Sequence, residues 1–522
     1  MCVSAFVSLS PIVRGSSDFG RAMGGVILNE DCTQFYVTMN YPATIEGICR
    51  YTDECYLPPG HQVRIMMLNP QAQRSSYNAT AMEPMWKNVI FDETTGIGTY
   101  MGNKMDAVES EMVRRMKAFA DRGEDQYVHW IDHLRKRGVS PWLSMRMNDD
   151  HNKPIENTDW YLNSPFWRDH PEWHIASHNR GGYGAGDRHQ GLDYGQPEVF
   201  EYHLRIAFEL IDRYDADGFE MDFMRHGRFF RHGQEAKGRE ILNDFVRRVR
   251  EHANAKAAKT GHPYHIAVRV HADPRDAWYQ GIDAETWCKE KLVDMVIPSS
   301  FFQTTWNNVP VREWRRIVGE DIILAPCLET FKNPTPGTWG VKDARIDHAF
   351  AASWLHQGAD VIYLFNHFGI QSTTVTSLDS PKHAAALPRR NIVTFNDTRA
   401  EGFPIGNPLP CKVFECYSLA GVFRLECGPK PQAPNQAYVV LASCGDLPMP
   451  KVWLNSYGPL KPVDVPVELT FEKDTKNVLA FSAPLELLND GDNLLEITDP
   501  EKEFELDWVE IYYTGTVPAP GK

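Results

Sequence analysis

The 522-residue sequence has no uninterrupted apolar run of about 18 residues, the length that a membrane-spanning helix needs. Its first residues lack the basic start and the long apolar core of a secretory signal peptide. The ten cysteines form no CxxC pair and no metal-ligand spacing, and Cys288 and Cys327 stand inside apolar segments, as reduced core cysteines do. We therefore expect a cytoplasmic protein that has no membrane partner.

Positive charge is also scarce, because the formal net charge is -15. A protein that binds nucleic acid normally presents a basic surface to the phosphates, so we expect no nucleic-acid partner. The sequence leaves open whether the chain forms a homo-oligomer.

Several catalytic motifs are missing. The sequence contains no Gly-x-Ser-x-Gly elbow, and no glycine-rich phosphate loop follows the first apolar run. That run ends in Asn29, Glu30 and Asp31 instead of the His-x-His of a metal-dependent amidohydrolase, and no apolar run ends in the lysine that a Schiff-base aldolase needs. We expect neither a cofactor nor a metal ion.

Eight short apolar runs alternate with helical patterns between residues 25 and 387, and several runs end in polar clusters. This alternation predicts a (β/α)8 TIM barrel after an N-terminal extension of residues 1–24, whereas a doubly wound open sheet is the alternative. The predicted strands are Val26–Asp31, Val63–Asn69, Pro141–Asn148, Phe219–Phe223, Ile266–His271, Met295–Ser300, Ile322–Glu329 and Val361–His367.

The pattern changes at about Pro388. Helical periodicity disappears, and short alternating runs separated by Pro, Gly and Asn-Asp-Gly-Asp occupy residues 388–522. Such runs predict an all-β sandwich, similar to the jelly-roll modules appended to many glycosidases.

The fourth predicted strand carries two acids. Glu220 and Asp222 alternate with apolar residues, so both are expected to point into the barrel, with Asp222 nearer its C-terminal end, where function collects. Glycoside hydrolysis needs two carboxyl groups, and Glu329 at the end of the seventh strand is a better placed partner for Asp222 than the deeper Glu220. The alternative is that Glu220 and Asp222 pair with buried arginines for structural reasons.

Other polar and aromatic residues are predicted to line the barrel mouth and to bind substrate. Arg146, Arg225 and Arg269 occupy equivalent positions near the ends of strands three, four and five, and guanidinium groups bind carboxylate or sulfate well. An anionic sugar is therefore one option, and neutralisation of the acids by these arginines is the other. The remaining candidates are Asn148, Asp149, His151, His226, His271, Trp306, Asn366 and His367.

Four segments carry a resemblance to a known group. They are Pro141–His151, the pair Ser164–Trp167 and His170–Trp173, Asp217–Arg225, and Gly281–Trp287 followed by Leu292–Met295. Over most of residues 25–370 the chain resembles poorly characterised family-10-like glycoside hydrolases, which implies a (β/α)8 barrel acting on glycosides. The Asp-Gly-x-Glu-x-Asp pattern also resembles the chitinase signature, but Met224 stands where that signature has its acid.

We therefore expect a glycoside hydrolase in which Asp222 and Glu329 are the acid and the nucleophile or base, with Glu220 tuning them. The substrate class would be an oligo- or polysaccharide. The alternatives are a carbohydrate-binding barrel without catalysis and a polysaccharide lyase or metal-assisted enzyme.

Overall fold

The computed structural model describes residues 24–150, 159–176, 191–336, 342–367, 372–378, 380–398, 408–413, 421–471, 474–498 and 503–515. These ranges form a closed parallel barrel followed by antiparallel sheets. The predicted (β/α)8 barrel with a C-terminal β-sandwich is thus confirmed.

Eight strands form the barrel, and each is parallel to its neighbours. Strand β8 also pairs with β1, which closes the sheet and excludes the doubly wound alternative. The strands are β1 Val26–Glu30, β2 Val63–Leu68, β3 Ser140–Arg146, β4 Gly218–Asp222, β5 His265–His271, β6 Met295–Ser299, β7 Cys327–Glu329 and β8 Ile362–Phe365. Just before β7, Ile323–Leu324 also pairs with β6, and the interruption falls at Ala325 and Pro326, where the proline has no N–H to donate.

Helices cover the outside of the barrel, and capping residues and prolines mark where several of them begin. Asp106 and Glu109 form a capping box at the start of α3, while prolines begin α6, α8 and α13. The α-helices are α1 Gln34–Val37, α2 Ile45–Cys55, α3 Ala107–Asp121, α4 Gln126–Lys136, α5 Pro165–Arg168, α6 Pro197–Arg213, α7 Glu235–Thr260, α8 Pro274–Tyr279, α9 Ala284–Lys289, α10 Val311–Val318, α11 Ala344–His356, α12 Ser372–Ser377 and α13 Pro381–Ala386. No described helix is long and apolar enough to cross a membrane.

Alternate residues of the barrel strands point inward and outward. The outward residues join the helices in one large core, whereas Ile27, Ile65, Trp142 and Tyr363 belong to a separate apolar cluster inside the barrel. Toward the C-terminal ends of the strands the same inward faces become polar. We call the four residues Arg146, Asp222, Arg269 and Glu329 the polar layer.

The C-terminal module consists of antiparallel strands around a core of its own. The strands are β9 Arg389–Ile392, β10 Cys411–Val413, β11 Val422–Glu426, β12 Ala437–Ser443, β13 Lys451–Leu454, β14 Pro462–Val463, β15 Asn477–Ser482, β16 Asp492–Thr498, β17 Phe504–Leu506 and β18 Trp508–Tyr513. One sheet has the order β9-β18-β12-β15-β14, a second has the order β11-β16-β13, and β10 pairs with β17. A small sheet of Val89–Phe91, Gly98–Tyr100 and Asn103–Lys104 lies between β2 and α3.

The segment after β9 returns to the barrel. The Thr394 N–H donates to the Asn307 side chain at 2.8 Å, and the Thr394 hydroxyl donates to the Thr305 carbonyl. The predicted boundary between residues 387 and 388 stays a prediction, since residues just beyond it contact barrel loops.

Candidate active site

The register of three neighbouring strands determines the relative positions of three polar-layer residues. Arg146 on β3 lies level with Asp222 on β4, which in turn lies level with Arg269 on β5. An acid therefore stands between two arginines. The prediction that Arg225 is equivalent to Arg146 and Arg269 is wrong, because β4 ends at Asp222 and Arg225 lies in the turn that follows.

The Asp222 carboxylate accepts four hydrogen bonds, from one side chain and from the backbone. Arg269 binds its carboxylate in a bidentate manner, with Nε 2.9 Å from Oδ1 and Nη2 3.1 Å from Oδ2. The backbone N–H groups of Met224 and Arg225 donate to Oδ1 at 2.9 and 3.0 Å. Because the chain turns back over its own carboxylate directly after β4, the orientation of Asp222 is fixed by both backbone and side chain.

Glu220 lies one layer deeper, level with Ser144. Burial and the neighbouring Asp222 charge raise its pKa to about 7. No described group meets hydrogen-bond geometry at either carboxyl oxygen, although the hydroxyls of Ser144 and Tyr363 lie close enough to lower the pKa. A glutamic acid in this position keeps its proton to a higher pH than an exposed one does.

Glu329 is the last residue of β7 and is completely buried. The Thr330 N–H donates to Oε2 at 3.1 Å, whereas Oε1 has no hydrogen-bond partner in the described chain. Burial raises the pKa of Glu329 to about 8; Arg269 and Arg225 oppose the shift, and Asp397 adds to it. At neutral pH this side chain is mainly a protonated acid.

Arg146 is buried against two aspartates. It donates to Asp149 at 2.9 Å and also pairs with Asp31, which follows β1. Burial alone would raise the pKa of Asp31, but Arg146 and Arg225 hold it at about 2. Asp149, predicted to bind substrate, therefore serves first to neutralise Arg146.

Arg225 is buried among the charged side chains at the barrel mouth. Its guanidinium is 5.9 Å from the ring centroids of both Phe302 and Phe365. Burial and Arg146 lower its pKa, whereas Asp31, Asp149 and Glu329 act in the opposite direction. Of the two predicted roles for the arginines, neutralisation of acids describes Arg146 and Arg269, although neither partner of Arg146, Asp31 or Asp149, was foreseen.

Four other residues are predicted to bind substrate, namely Asn148, His151, His226 and Trp306. The Asn148 side chain binds the backbone of Leu192 and Arg228, which anchors two loops. His226 has a positive φ of 66° and lies 5.4 Å from Phe301, while Trp306 is half-buried against the main core. His151 lies outside the described residues. Substrate contact stays a prediction for all four.

Three further candidates occupy the ends of β5 and β8. His271 is buried beneath Gly227 and has a pKa of about 3, because burial disfavours its charged form. Asn366 and His367 directly follow β8, and burial also lowers the pKa of His367 to about 4. Asn366 adopts a positive φ of 53°. Sequence reasoning identified all three, but not their neutral, buried state.

Sequence reasoning missed Asp397. Its carboxylate accepts backbone hydrogen bonds from Phe301, Phe302 and Gln303 at 2.9, 2.8 and 2.7 Å, and a longer one from Thr304. It thereby fixes the loop after β6 beside Glu329. No sequence signal could have identified this role, because Asp397 lies more than 90 residues from its partners.

No group of three or more His, Cys, Asp or Glu side chains within the described ranges is arranged to hold a metal ion. Fold and site together define a (β/α)8 barrel with buried acids and arginines at the C-terminal ends of its strands.

No family model and no curated protein matches the sequence. Among solved structures, the chain is similar to alpha-L-fucosidase isoenzyme 2 from Paenibacillus thiaminolyticus, with a TM-score of 0.39 and 12% identity over 69% of this chain and 48% of that one. A family GH18 chitinase from Chromobacterium violaceum gives a TM-score of 0.36 and 11% identity over 96% of this chain and 90% of that one. A GH113 beta-1,4-mannanase gives 0.33 and 10%, over 70% and 96%.

The chain spans about half the length of the fucosidase, 48%. Likenesses at these TM-scores and identities carry no information about substrate or mechanism. The resemblance to family-10-like hydrolases is not confirmed.

Proposed function

We propose that the protein is a glycoside hydrolase in which Glu329 donates a proton and Asp222 acts as the catalytic carboxylate. The observation that carries the proposal is the contrast between two buried carboxyl groups at the barrel mouth. Burial keeps Glu329 protonated up to a pH of about 8, whereas Asp222 accepts four hydrogen bonds, two of them from Arg269. Glycoside hydrolysis requires one carboxylic acid that donates a proton and one carboxylate that acts as nucleophile or base.

In this proposal the Glu329 carboxyl protonates the glycosidic oxygen as the bond to the anomeric carbon breaks. Asp222 either attacks that carbon or takes a proton from the water that does so. The hydrogen bonds from Arg269 and the two backbone N–H groups fix Asp222, so little reorganisation is needed during the reaction. Glu220 lies beneath Asp222, and the Asp222 charge raises the pKa of Glu220.

The test is a screen of the purified protein against neutral, uronate-containing and sulfated glycans, with product analysis. We expect saturated sugar products, and we expect Asp222→Asn to lower kcat/KM at least about 1,000-fold while sugar binding persists. Binding without turnover would point to a non-catalytic carbohydrate-binding barrel. An unsaturated product absorbing in the ultraviolet, or an activity lost with a chelator, would contradict the hydrolase and favour a lyase or metal-assisted enzyme.

A further inference from the structure

The positive charges of the site are already matched by acids of the protein. Arg146 pairs with Asp31 and Asp149, and Arg269 pairs with Asp222 and donates to Ser299 at 2.8 Å. Arg225 lies among the same acids. Three arginines thus face three aspartates, which leaves no excess of positive charge for a substrate carboxylate or sulfate to compensate.

The other charged groups near the mouth come with partners of opposite charge. Arg228 lies near His271, and so does the buried Asp273. Lys332 pairs with Asp347 at 2.6 Å, and both side chains are buried. His271 and His367 are neutral at pH 7, because burial lowers the pKa of each to about 3 and about 4 respectively. An anionic group entering here would exchange its hydration for neutral imidazoles and for guanidinium groups whose charge Asp31, Asp149 and Asp222 already offset, which is unfavourable.

Uncharged polar atoms at the same ends of the strands have no partners within the described part of the chain. They are Glu329 Oε1, Asn366 Oδ1, His367 Nε2 and His271 Nδ1, from β7, β8 and β5. All four side chains are more than nine-tenths buried. Because buried polar atoms are normally hydrogen-bonded, unpartnered ones at the C-terminal ends of barrel strands point to a ligand that supplies the missing bonds. Hydroxyl groups can both donate and accept, so they suit this mixed set.

We infer that the sugar ring next to the catalytic residues is uncharged, and that Asn366 and His367 recognise it through its hydroxyl groups. This inference rests on the proposed glycosidase function and deepens it. It also favours a neutral sugar over the anionic one that the three arginines suggested in the sequence.

The first test compares matched pairs of nitrophenyl substrates, such as a glucoside with its glucuronide and a galactoside with its galacturonide. We expect the neutral member of the pair that is cleaved to have a kcat/KM at least tenfold higher. A preference for the uronide would overturn the inference and leave the hydrolase assignment intact. Absence of turnover for every glycoside and every glycan of the screen would instead contradict the proposed function.

The second test uses two asparagines that share the same left-handed backbone. Asn366 and Asn455 both have a φ of 53°, but the Asn455 side chain is fully hydrogen-bonded within the β-sandwich. Glycine keeps this backbone at no steric cost. Asn366→Gly should lower kcat/KM at least tenfold and shift Tm by less than about 3 °C, whereas Asn455→Gly should lower Tm and leave kcat/KM unchanged. An unchanged kcat/KM in Asn366→Gly would overturn the role of Asn366.

Discussion

Among the described residues, three buried glutamic acids have raised pKa values, and their surroundings differ. Glu220 and Glu329 lie at or beneath the barrel mouth, but Glu30 faces the helices and accepts hydrogen bonds from Tyr51. Burial raises the pKa of Glu30 to about 8. A raised pKa therefore does not by itself identify a catalytic residue here, and position at the mouth is the second criterion.

Glu30 gives a prediction about stability. Its pKa is 4.5 ordinarily and about 8 in the folded protein, so its stabilising contribution is complete below pH 4.5 and is lost as pH rises through 8. From pH 5 to pH 8 this group lowers the free energy of unfolding by up to about 4 kcal/mol. Glu30→Gln should therefore flatten the dependence in urea unfolding at these two pH values. An equally steep dependence in the variant would show that Glu30 is not buried in its neutral form.

Glu329 gives a prediction about activity. If it is the proton donor, kcat/KM should fall about tenfold per pH unit above a pH of about 8, because the acid form is lost. Glu329→Gln should lack this basic limb, which a pH series from 5 to 10 would measure. A basic limb that persists unchanged in the variant belongs to another group.

Among the secondary-structure elements, the loop that follows β6 contacts two others: the segment after β9 and strand β7. Asp397 holds its backbone from one side, and on the other side the Thr305 hydroxyl accepts a hydrogen bond from the Glu329 N–H at 2.9 Å. Phe302 of this loop contacts Arg225 and lies 5.6 Å from Phe331. We therefore expect Asp397 to act as a positioning residue for Glu329, the proposed acid.

Asp397→Asn tests this role. The amide can satisfy fewer backbone N–H groups, so we expect a loss of about 1–3 kcal/mol in unfolding free energy and a lower kcat/KM. Because the Asp397 charge helps to raise the pKa of Glu329, the basic limb of the pH profile should move to lower pH. Asp106→Asn, which changes the cap of α3, is the control: it should affect stability alone. A fixed basic limb in Asp397→Asn would leave Asp397 with a structural role only.

The elements themselves could be predicted from local patterns. Eight apolar runs gave the eight barrel strands, and alternation along β4 placed Glu220 and Asp222 on its inward face. Pairing of acids with arginines was one prediction, but which acid pairs with which arginine could not be predicted, because it depends on the register between strands that are far apart in the sequence. The Asp31–Arg146 and Asp222–Arg269 pairs depend on that register, and the Asp397 contact depends on how the C-terminal segment returns to the barrel.

In the molecule as a whole, the buried Arg390 of the sandwich also contacts a helix of the barrel. Arg390 on β9 binds Glu510 on β18 at 2.9 and 2.7 Å and also reaches Asp343, the cap of α11, at 3.1 Å. The side chains of Arg390 and Glu510 are completely buried. Since the same guanidinium serves both parts of the molecule, we expect them to unfold together.

Arg390→Met tests this coupling, because it leaves a buried glutamate without its partner. We expect a loss of about 3–5 kcal/mol, measured by chemical unfolding with coincident far- and near-ultraviolet transitions in the wild-type protein. Arg424→Met removes the exposed pair with Asp492 and should cost less than about 1 kcal/mol. Two separate transitions in the wild-type protein would contradict the coupling.

We propose that Glu329 is the proton donor and Asp222 the catalytic carboxylate of a glycosidase. The most direct measurement is kcat/KM for two substrates with the same sugar and different leaving groups, one a dinitrophenolate and the other a sugar alcohol. Proton donation matters little for the first and greatly for the second. We predict that Glu329→Gln loses about 100-fold or more on the second substrate alone, whereas Asp222→Asn loses activity on both. An equal loss on both substrates in Glu329→Gln, or no loss on either, would show that Glu329 is not the proton donor.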